Sequence, residues 1–179
     1  MTTTTQLSAL TGDYDLDTAR TRIGFTARAA MISKVRGQFD AFEGAAHLDG
    51  ALPSRSTVRL TIRSASVRTR NRKRDDHLRG EDFLAALDHP TITFASTRVE
   101  QIEGTVFKVT GNLTIRGTAS PVTVTFHLTE ADTDPRGTGR VRFTGTATVS
   151  RRDWGVSGAA GLVGEKVTLT LDVTAIRRS

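Results

Sequence analysis

The chain has 179 residues, no cysteine and a formal net charge of +6, from 25 Lys and Arg against 19 Asp and Glu. This length predicts one domain with a substantial core, and the lack of cysteine excludes disulfide scaffolds, thiolate metal sites and cysteine nucleophiles. No stretch approaches the ~18 consecutive apolar residues of a membrane-spanning helix.

The amino terminus contains four consecutive threonines, with no early positive charge and no apolar run. These features are not those of a secretory signal peptide. We therefore expect a flexible tail over residues 1–11, a single domain over residues 12–179, and a cytoplasmic location.

From residue 21 onward, apolar and polar residues alternate in the period-2 pattern of half-buried strands. The alternation changes phase between Ala41 and Phe42, which predicts a β-bulge or a turn inside one run. Short connections between the runs favour antiparallel neighbours. Eight strands are predicted, at residues 21–28, 34–49, 57–67, 91–99, 105–116, 121–130, 139–150 and 166–175.

Residues 71–87 break the alternation and contain good helix formers. They predict one short helix, or two that are separated at Gly80, and Pro90 ends this segment. The predicted fold class is therefore all-β, an eight-stranded antiparallel barrel with a short helical insertion around residues 71–88. Closure of a barrel hides strand edges and the apolar face together, although a two-sheet sandwich fits the same pattern.

The polar face of the strands carries bulky arginines, so we expect the apolar face to point inward. Small residues such as Gly37, Gly111 and Gly145 share that face with several phenylalanines. An eight-stranded barrel can hold one small ligand, which favours a hollow interior. Alternatively, the glycines mark barrel corners and neighbouring side chains fill the interior. The pattern alone leaves both interpretations open.

Six groups of motifs, in order along the chain, resemble the YceI-like family of polyisoprenoid-binding proteins. They are Tyr14-Asp15-Leu16-Asp17 with Ile23-Gly24-Phe25, Val35-Arg36-Gly37-Gln38-Phe39 with Phe42-Glu43-Gly44, Arg74-Asp75-Asp76-His77-Leu78-Arg79 with Asp82-Phe83, residues 89–96, residues 109–117, and Arg152-Asp153-Trp154-Gly155-Val156.

The resemblance implies a lipocalin-like barrel that encloses a long isoprenoid or similar lipid, with no catalytic residues, metal or cofactor. The chain departs from the family pattern at Ala29, where histidine is common, and at Tyr14, where tryptophan is usual.

The leading functional hypothesis is a non-enzymatic protein that sequesters, transports or stores such a lipid. Inward-facing residues would contact the ligand, and two residues outside the main strands would gate the cavity. The predicted ligand contacts are Phe25, Phe39, Ile62, Phe94, Leu113, Phe126 and Phe143, and the predicted gate is Phe83 and Trp154.

Two other functions fit the sequence. A small enzyme acting on an isoprenoid lipid would use His77 and Asp75 as acid and base, and an interaction module would have a filled interior. The basic residues at 68–79 could meet a ligand head group or a membrane surface, or form a solvated face. Nucleic acid is not expected, because the aromatic residues lie mainly on the inward phase. We expect no stable membrane insertion, and transient membrane contact and a homodimer remain open.

Overall fold

The computed structural model describes residues 7–29, 33–133, 137–158 and 163–178. One α-helix, α1, spans Arg72–Arg79, and short 3-10 helices span Leu7–Leu10, Thr18–Arg20, Pro53–Arg55, Ser64–Ser66 and Arg151–Trp154. The strands in this part of the chain are β1 Gly12–Leu16, β2 Arg22–Ala29, β3 Ser33–Phe39, β4 Phe42–Leu48, β5 Thr57–Arg63, β6 Val67–Arg68, β7 Thr91–Glu103, β8 Val106–Ile115, β9 Thr118–Thr133, β10 Gly139–Ser150 and β11 Val163–Arg177.

Three pairs of consecutive strands, β1 with β2, β3 with β4, and β5 with β6, each continue one another along the barrel wall. β1 and β2 both pair with β11, and on their other side they pair with β4 and β3 respectively. The sheet is therefore an up-and-down barrel of eight long antiparallel strands, closed where β11 meets β1 and β2. This arrangement confirms the predicted fold class.

The break between β3 and β4 lies beside the break between β5 and β6. The backbone N–H of Asp40 donates to the Ser66 carbonyl at 3.2 Å, and that of Arg63 donates to the Ala41 carbonyl at 2.9 Å. The phase change expected between residues 34 and 49 is thus a break at Asp40 and Ala41. Neighbouring strands share this bend, so the wall turns there while its backbone groups remain paired.

The first strand begins earlier in the chain than predicted, and the second short helix that the sequence allowed does not form among the described residues. Gly12–Leu16 forms a strand that pairs with both β4 and β11, although its apolar alternation is too short to stand out. Residues 7–10, within the predicted tail, form a 3-10 helix, and residues 1–6 lie outside the described residues. After α1, which Asn71 caps, residues 81–84 and 86–88 form turns.

The connections divide the barrel into two ends. The helical end carries α1, residues 80–90 and residues 151–158, and its buried cluster includes Phe83, Trp154 and Val156. The opposite end, here called the N-terminal end, has a second cluster around Tyr14, against which Leu7 and Leu10 pack. In the described residues, no helix is both long and apolar enough to cross a membrane.

Candidate functional site: an apolar cavity through the barrel

The barrel interior is hollow. A cavity of about 350 Å³ extends from Leu10 and Tyr14 at the N-terminal end to Phe83 and Trp154 at the helical end. Apolar atoms form nearly all of its wall. The sequence left a hollow and a filled interior open, and the structure shows the hollow one.

All nine residues predicted to contact or gate a ligand line this cavity. The structure brings together Phe25, Phe39, Ile62, Phe83, Phe94, Leu113, Phe126, Phe143 and Trp154. Their alternation with outward polar residues accounts for this outcome, since successive side chains of a strand point to opposite faces. That these residues contact a ligand stays a prediction.

Two phenylalanine rings lie against glycines of the neighbouring strand. Phe25 is paired with Gly37, and Phe126 is paired with Gly145. A Cβ atom added to Gly37 would lie 2.2 Å from Phe25 Cζ, and one added to Gly145 would lie 2.6 Å from Phe126 Cδ1. These glycines are thus neither simple corners nor ligand contacts, because each provides the space that a ring occupies against the wall.

Trp154 and Phe83 close the helical end of the cavity. The indole Nε1 of Trp154 donates to the Leu113 carbonyl at 2.7 Å, and only 2% of the residue is exposed. Arg116 Nη1 donates to the carbonyls of Glu81 and Phe83 at 2.6 and 2.9 Å, which ties the segment after α1 to the end of β8. Both aromatic residues are therefore held in place by specific hydrogen bonds rather than by packing alone.

Arg151 also stabilises the helical end of the cavity. Its guanidinium lies 5.9 Å from the centre of the Phe83 ring, and its Nη1 donates to the carbonyls of Val156 and Gly158 at 2.9 and 2.6 Å. Burial lowers the pKa of this side chain. Arg151 thereby fixes the 151–158 segment and adds one of the few polar groups to the cavity wall.

Tyr14 closes the N-terminal end, a role that the sequence analysis missed. It is fully buried, and its hydroxyl donates to the Leu10 carbonyl at 2.8 Å. Burial raises the pKa of this phenol, although the guanidinium of Arg177, 5.7 Å from the ring centre, opposes the shift. Leu7 and Leu10 also line the cavity. The spacing of these two leucines, three residues apart and just before Tyr14, was the available signal.

His77 and Asp75, the residues of the enzyme hypothesis, engage different partners. His77 Nε2 lies 3.0 Å from Asp82 Oδ2 on the surface, and its ring packs edge-on against Phe83. Asp75 is buried and accepts hydrogen bonds from the backbone N–H and the hydroxyl of Thr69 at 2.8 and 2.6 Å. Neither lines the cavity. Within the described residues, no three His, Asp or Glu side chains are grouped to hold a metal ion.

A model of the YceI-like domain matches residues 14–175. The chain belongs to the YceI-like family. Its curated YceI-like relatives include a UPF0312 protein of Shewanella sp. (strain W3-18-1), 36% identical over 174 residues, which cover 96% of this chain and 91% of the relative. A UPF0312 protein of Pseudomonas aeruginosa (strain UCBPP-PA14) is 37% identical over 172 residues, which cover 95% and 90%.

Solved structures have the same barrel. The Campylobacter jejuni YceI protein matches with a TM-score of 0.76 and 28% identity, over 83% of this chain and 88% of that one. BcnA of Burkholderia cenocepacia matches with a TM-score of 0.82 and 24% identity, over 89% and 99%. A polyisoprenoid binding domain from Saccharophagus degradans matches with a TM-score of 0.73 and 13% identity, over 92% and 98%. The last two likenesses show the YceI-like fold alone.

Proposed function

We propose that this YceI-like protein binds a long-chain isoprenoid or similar amphiphilic lipid inside its barrel, for sequestration, transport or storage. The observation that carries the proposal is the apolar cavity of about 350 Å³ between Tyr14 and Trp154. Support also comes from the Saccharophagus degradans domain of the same fold, which is described as polyisoprenoid binding. Binding without catalysis and a cytoplasmic location are parts of the same proposal.

The size and chemistry of the cavity suit an extended hydrocarbon chain. An engineered apolar protein cavity of ~150 Å³ stays dry and binds benzene, and this cavity has more than twice that volume. Burying one methylene group contributes about 0.8 kcal/mol, so about twelve buried chain carbons would contribute about 10 kcal/mol. That gain is comparable to the estimated cost of association, about 4–15 kcal/mol.

Besides Tyr14, the cavity wall includes few polar or charged residues: Asp49, Ser56 and Arg59 toward the N-terminal end, and Arg151 at the helical end. A lipid lying along the barrel would therefore meet only apolar side chains over most of its length. Its polar head would lie at an end, where water and these groups can solvate it. Such contacts select for chain length and shape rather than for a particular functional group.

A charge inside the barrel tests this proposal. The Phe126→Glu variant places a carboxylate on the cavity wall, whereas His127→Glu places one on the exposed outer face of the same strand. Because an unpaired charge is costly to bury in an apolar site, we expect the first variant to lose bound lipid and the second to keep it. Lipid extracted from equal amounts of each purified protein is the measurement.

Phe126→Gln provides a milder variant if the charge prevents folding, and it should reduce lipid content for the same reason. Circular dichroism establishes which variants are folded. Unchanged lipid content in a folded Phe126→Glu protein would refute the proposed site.

A further inference from the structure

Several surface arginines of the barrel pair with carboxylates, but three basic residues on the outer face of β2 and β3 do not. Arg28, Lys34 and Arg36 are exposed and form no ion pair with any carboxylate in the part of the chain that the structure describes. Pairs elsewhere include Arg142 with Asp172 at 2.7 Å, Arg140 with Asp132 at 3.0 Å and Arg178 with Asp15 at 2.7 Å.

The register of β2 and β3 sets these charges against one another. Arg28 lies directly opposite Lys34, and Arg36, opposite Thr26, lies on the same face. Like charges at directly opposed positions destabilise a sheet. This face of the barrel thus carries an electrostatic cost that an anionic partner would relieve.

Three more basic residues extend this surface at the same end of the barrel. Arg70, Arg72 and Lys73 follow β6, which pairs with β3, and all three are exposed without a carboxylate partner among the described residues. The whole surface, here called the basic face, is Arg28, Lys34, Arg36, Arg70, Arg72 and Lys73.

A large apolar side chain is also exposed at the helical end. Leu87 is 99% exposed, in the turn segment that follows Ala85, whose φ is +47°. Three carboxylates at this end, those of Glu81, Asp88 and Asp153, form no ion pair among the described residues. The six charges of the basic face outnumber them two to one, and none of the three lies on β2 or β3. A protruding leucine at the same end of the barrel as a basic surface is a combination that favours adsorption to anionic lipid.

We infer that the helical end docks on an anionic lipid bilayer, with the basic face against the head groups and Leu87 in the interface. The choice of a membrane as the partner rests on the proposed lipid-binding function, because a lipid carrier must meet a membrane to exchange its cargo. Ala27, between the outward Thr26 and Arg28, lines the cavity, so the cavity reaches this end. Nucleic acid fits less well, because Phe25 and Phe39 point into the barrel and leave β2 and β3 without an outer stacking surface.

Flotation with two kinds of vesicle tests the docking. One kind contains phosphatidylcholine alone and the other contains phosphatidylglycerol and phosphatidylcholine in equal amounts. We expect binding to the anionic vesicles only, and weaker binding as ionic strength rises from about 0.01 M to about 0.15 M. Arg28→Gln/Lys34→Gln should bind them about 25-fold more weakly, since each basic residue near an anionic surface is worth about fivefold.

Arg55→Gln/Lys108→Gln is the matched control, because it removes two positive charges that lie toward the N-terminal end. It should bind almost as the unchanged protein does. Leu87→Asn should weaken binding without altering its salt dependence, since it removes apolar contact and no charge. Farnesol uptake, followed through the fluorescence of the single tryptophan Trp154, is measured on every variant.

Retained farnesol uptake in the Arg28→Gln/Lys34→Gln variant, together with weakened vesicle binding, supports docking through the basic face. Equal losses in the two double variants, no binding to anionic vesicles, or tighter binding to a mixed-sequence oligonucleotide would overturn it. If the unchanged protein binds anionic vesicles but takes up no farnesol, the result would count against the proposed function and leave the docking inference standing.

Discussion

The tip of the Phe25 ring lies over Gly37 on the adjacent strand, at a position where a side chain on residue 37 would collide with it. A Cβ atom on Gly37 would lie within 3 Å of three atoms of that ring. The ring also packs against Phe39, with 5.7 Å between the ring centres. The glycine thus allows a large aromatic side chain to line the wall while the centre of the barrel stays open.

Replacing Gly37 with alanine should therefore narrow the cavity. The new methyl group forces the Phe25 ring toward the lumen, and overpacking of this kind costs about 1–3 kcal/mol of the free energy of unfolding. We expect a lower melting temperature and less bound lipid per protein, measured by calorimetry and by extraction.

Gly164→Ala is the control for that substitution, because its Cβ would meet neighbours only at ordinary contact distances of 3.5 Å or more. Adding Phe25→Ala to Gly37→Ala should restore the lumen and raise lipid content again. If Gly37→Ala alone leaves lipid content and stability unchanged, the Phe25–Gly37 pair does not set the width of the barrel.

Asp75 should prove to be a structural residue of the helical end. Asp75→Ala leaves the buried N–H and hydroxyl of Thr69 without their acceptor, which should lower the free energy of unfolding by about 1–3 kcal/mol. Asp76→Ala, on the exposed side of the same helix, removes only a surface ion pair with Arg79 and should cost less than about 1 kcal/mol. Urea unfolding measures both.

His77→Ala separates this structural role from the acid and base roles of the enzyme hypothesis. We expect it to leave lipid content unchanged, since His77 contacts Asp82 and Phe83 outside the cavity wall. A His77→Ala protein that accumulates a chemically different lipid from the unchanged protein would favour the enzyme instead.

The protein should lose stability in strongly alkaline solution because the phenol of Tyr14 ionises. Burial raises the pKa of its phenol above the ordinary value of 10.0, so the folded state keeps a proton that the unfolded state loses. The resulting stability is fully present below pH 10.0 and declines as pH rises toward the folded-state pKa. Because Tyr14 is the only tyrosine, ultraviolet titration of the phenol reports it alone.

Tyr14→Phe is the comparison. At neutral pH it should lower the free energy of unfolding by about 1 kcal/mol, because the Leu10 carbonyl loses its donor. The stability difference should shrink above pH 10, where only the unchanged protein loses stability through this group. A phenol that titrates at its ordinary pKa in the folded protein would show that Tyr14 is not sealed in the N-terminal end.

Much of the barrel could be predicted because its strands are half-buried. Runs such as Val122, Val124 and Phe126 alternate with exposed polar residues, and that period directly reflects one face in contact with the cavity. β1 escaped prediction because five residues of Gly12–Leu16 carry too few alternations, although tertiary pairing with β4 and β11 holds them in a strand.

The wall of the candidate site followed from the same alternation, but its volume did not. Whether inward side chains meet across the centre depends on how Phe25 and Phe126 are turned, and their glycine partners lie on other strands. Pairing between strands decides that orientation, and a single sequence does not reveal it. Tyr14 was missed for a similar reason, since its burial depends on Leu10 and Arg177 from the two termini.

Native mass spectrometry of freshly purified protein, followed by organic extraction, tests the central claim most directly. A long apolar molecule in the cavity predicts a bound mass that remains in gentle conditions and is released by solvent as a lipid. Stripped protein should then take up farnesol, with a change in Trp154 fluorescence. Protein that carries no bound mass and takes up no farnesol, while remaining folded, would contradict the claim.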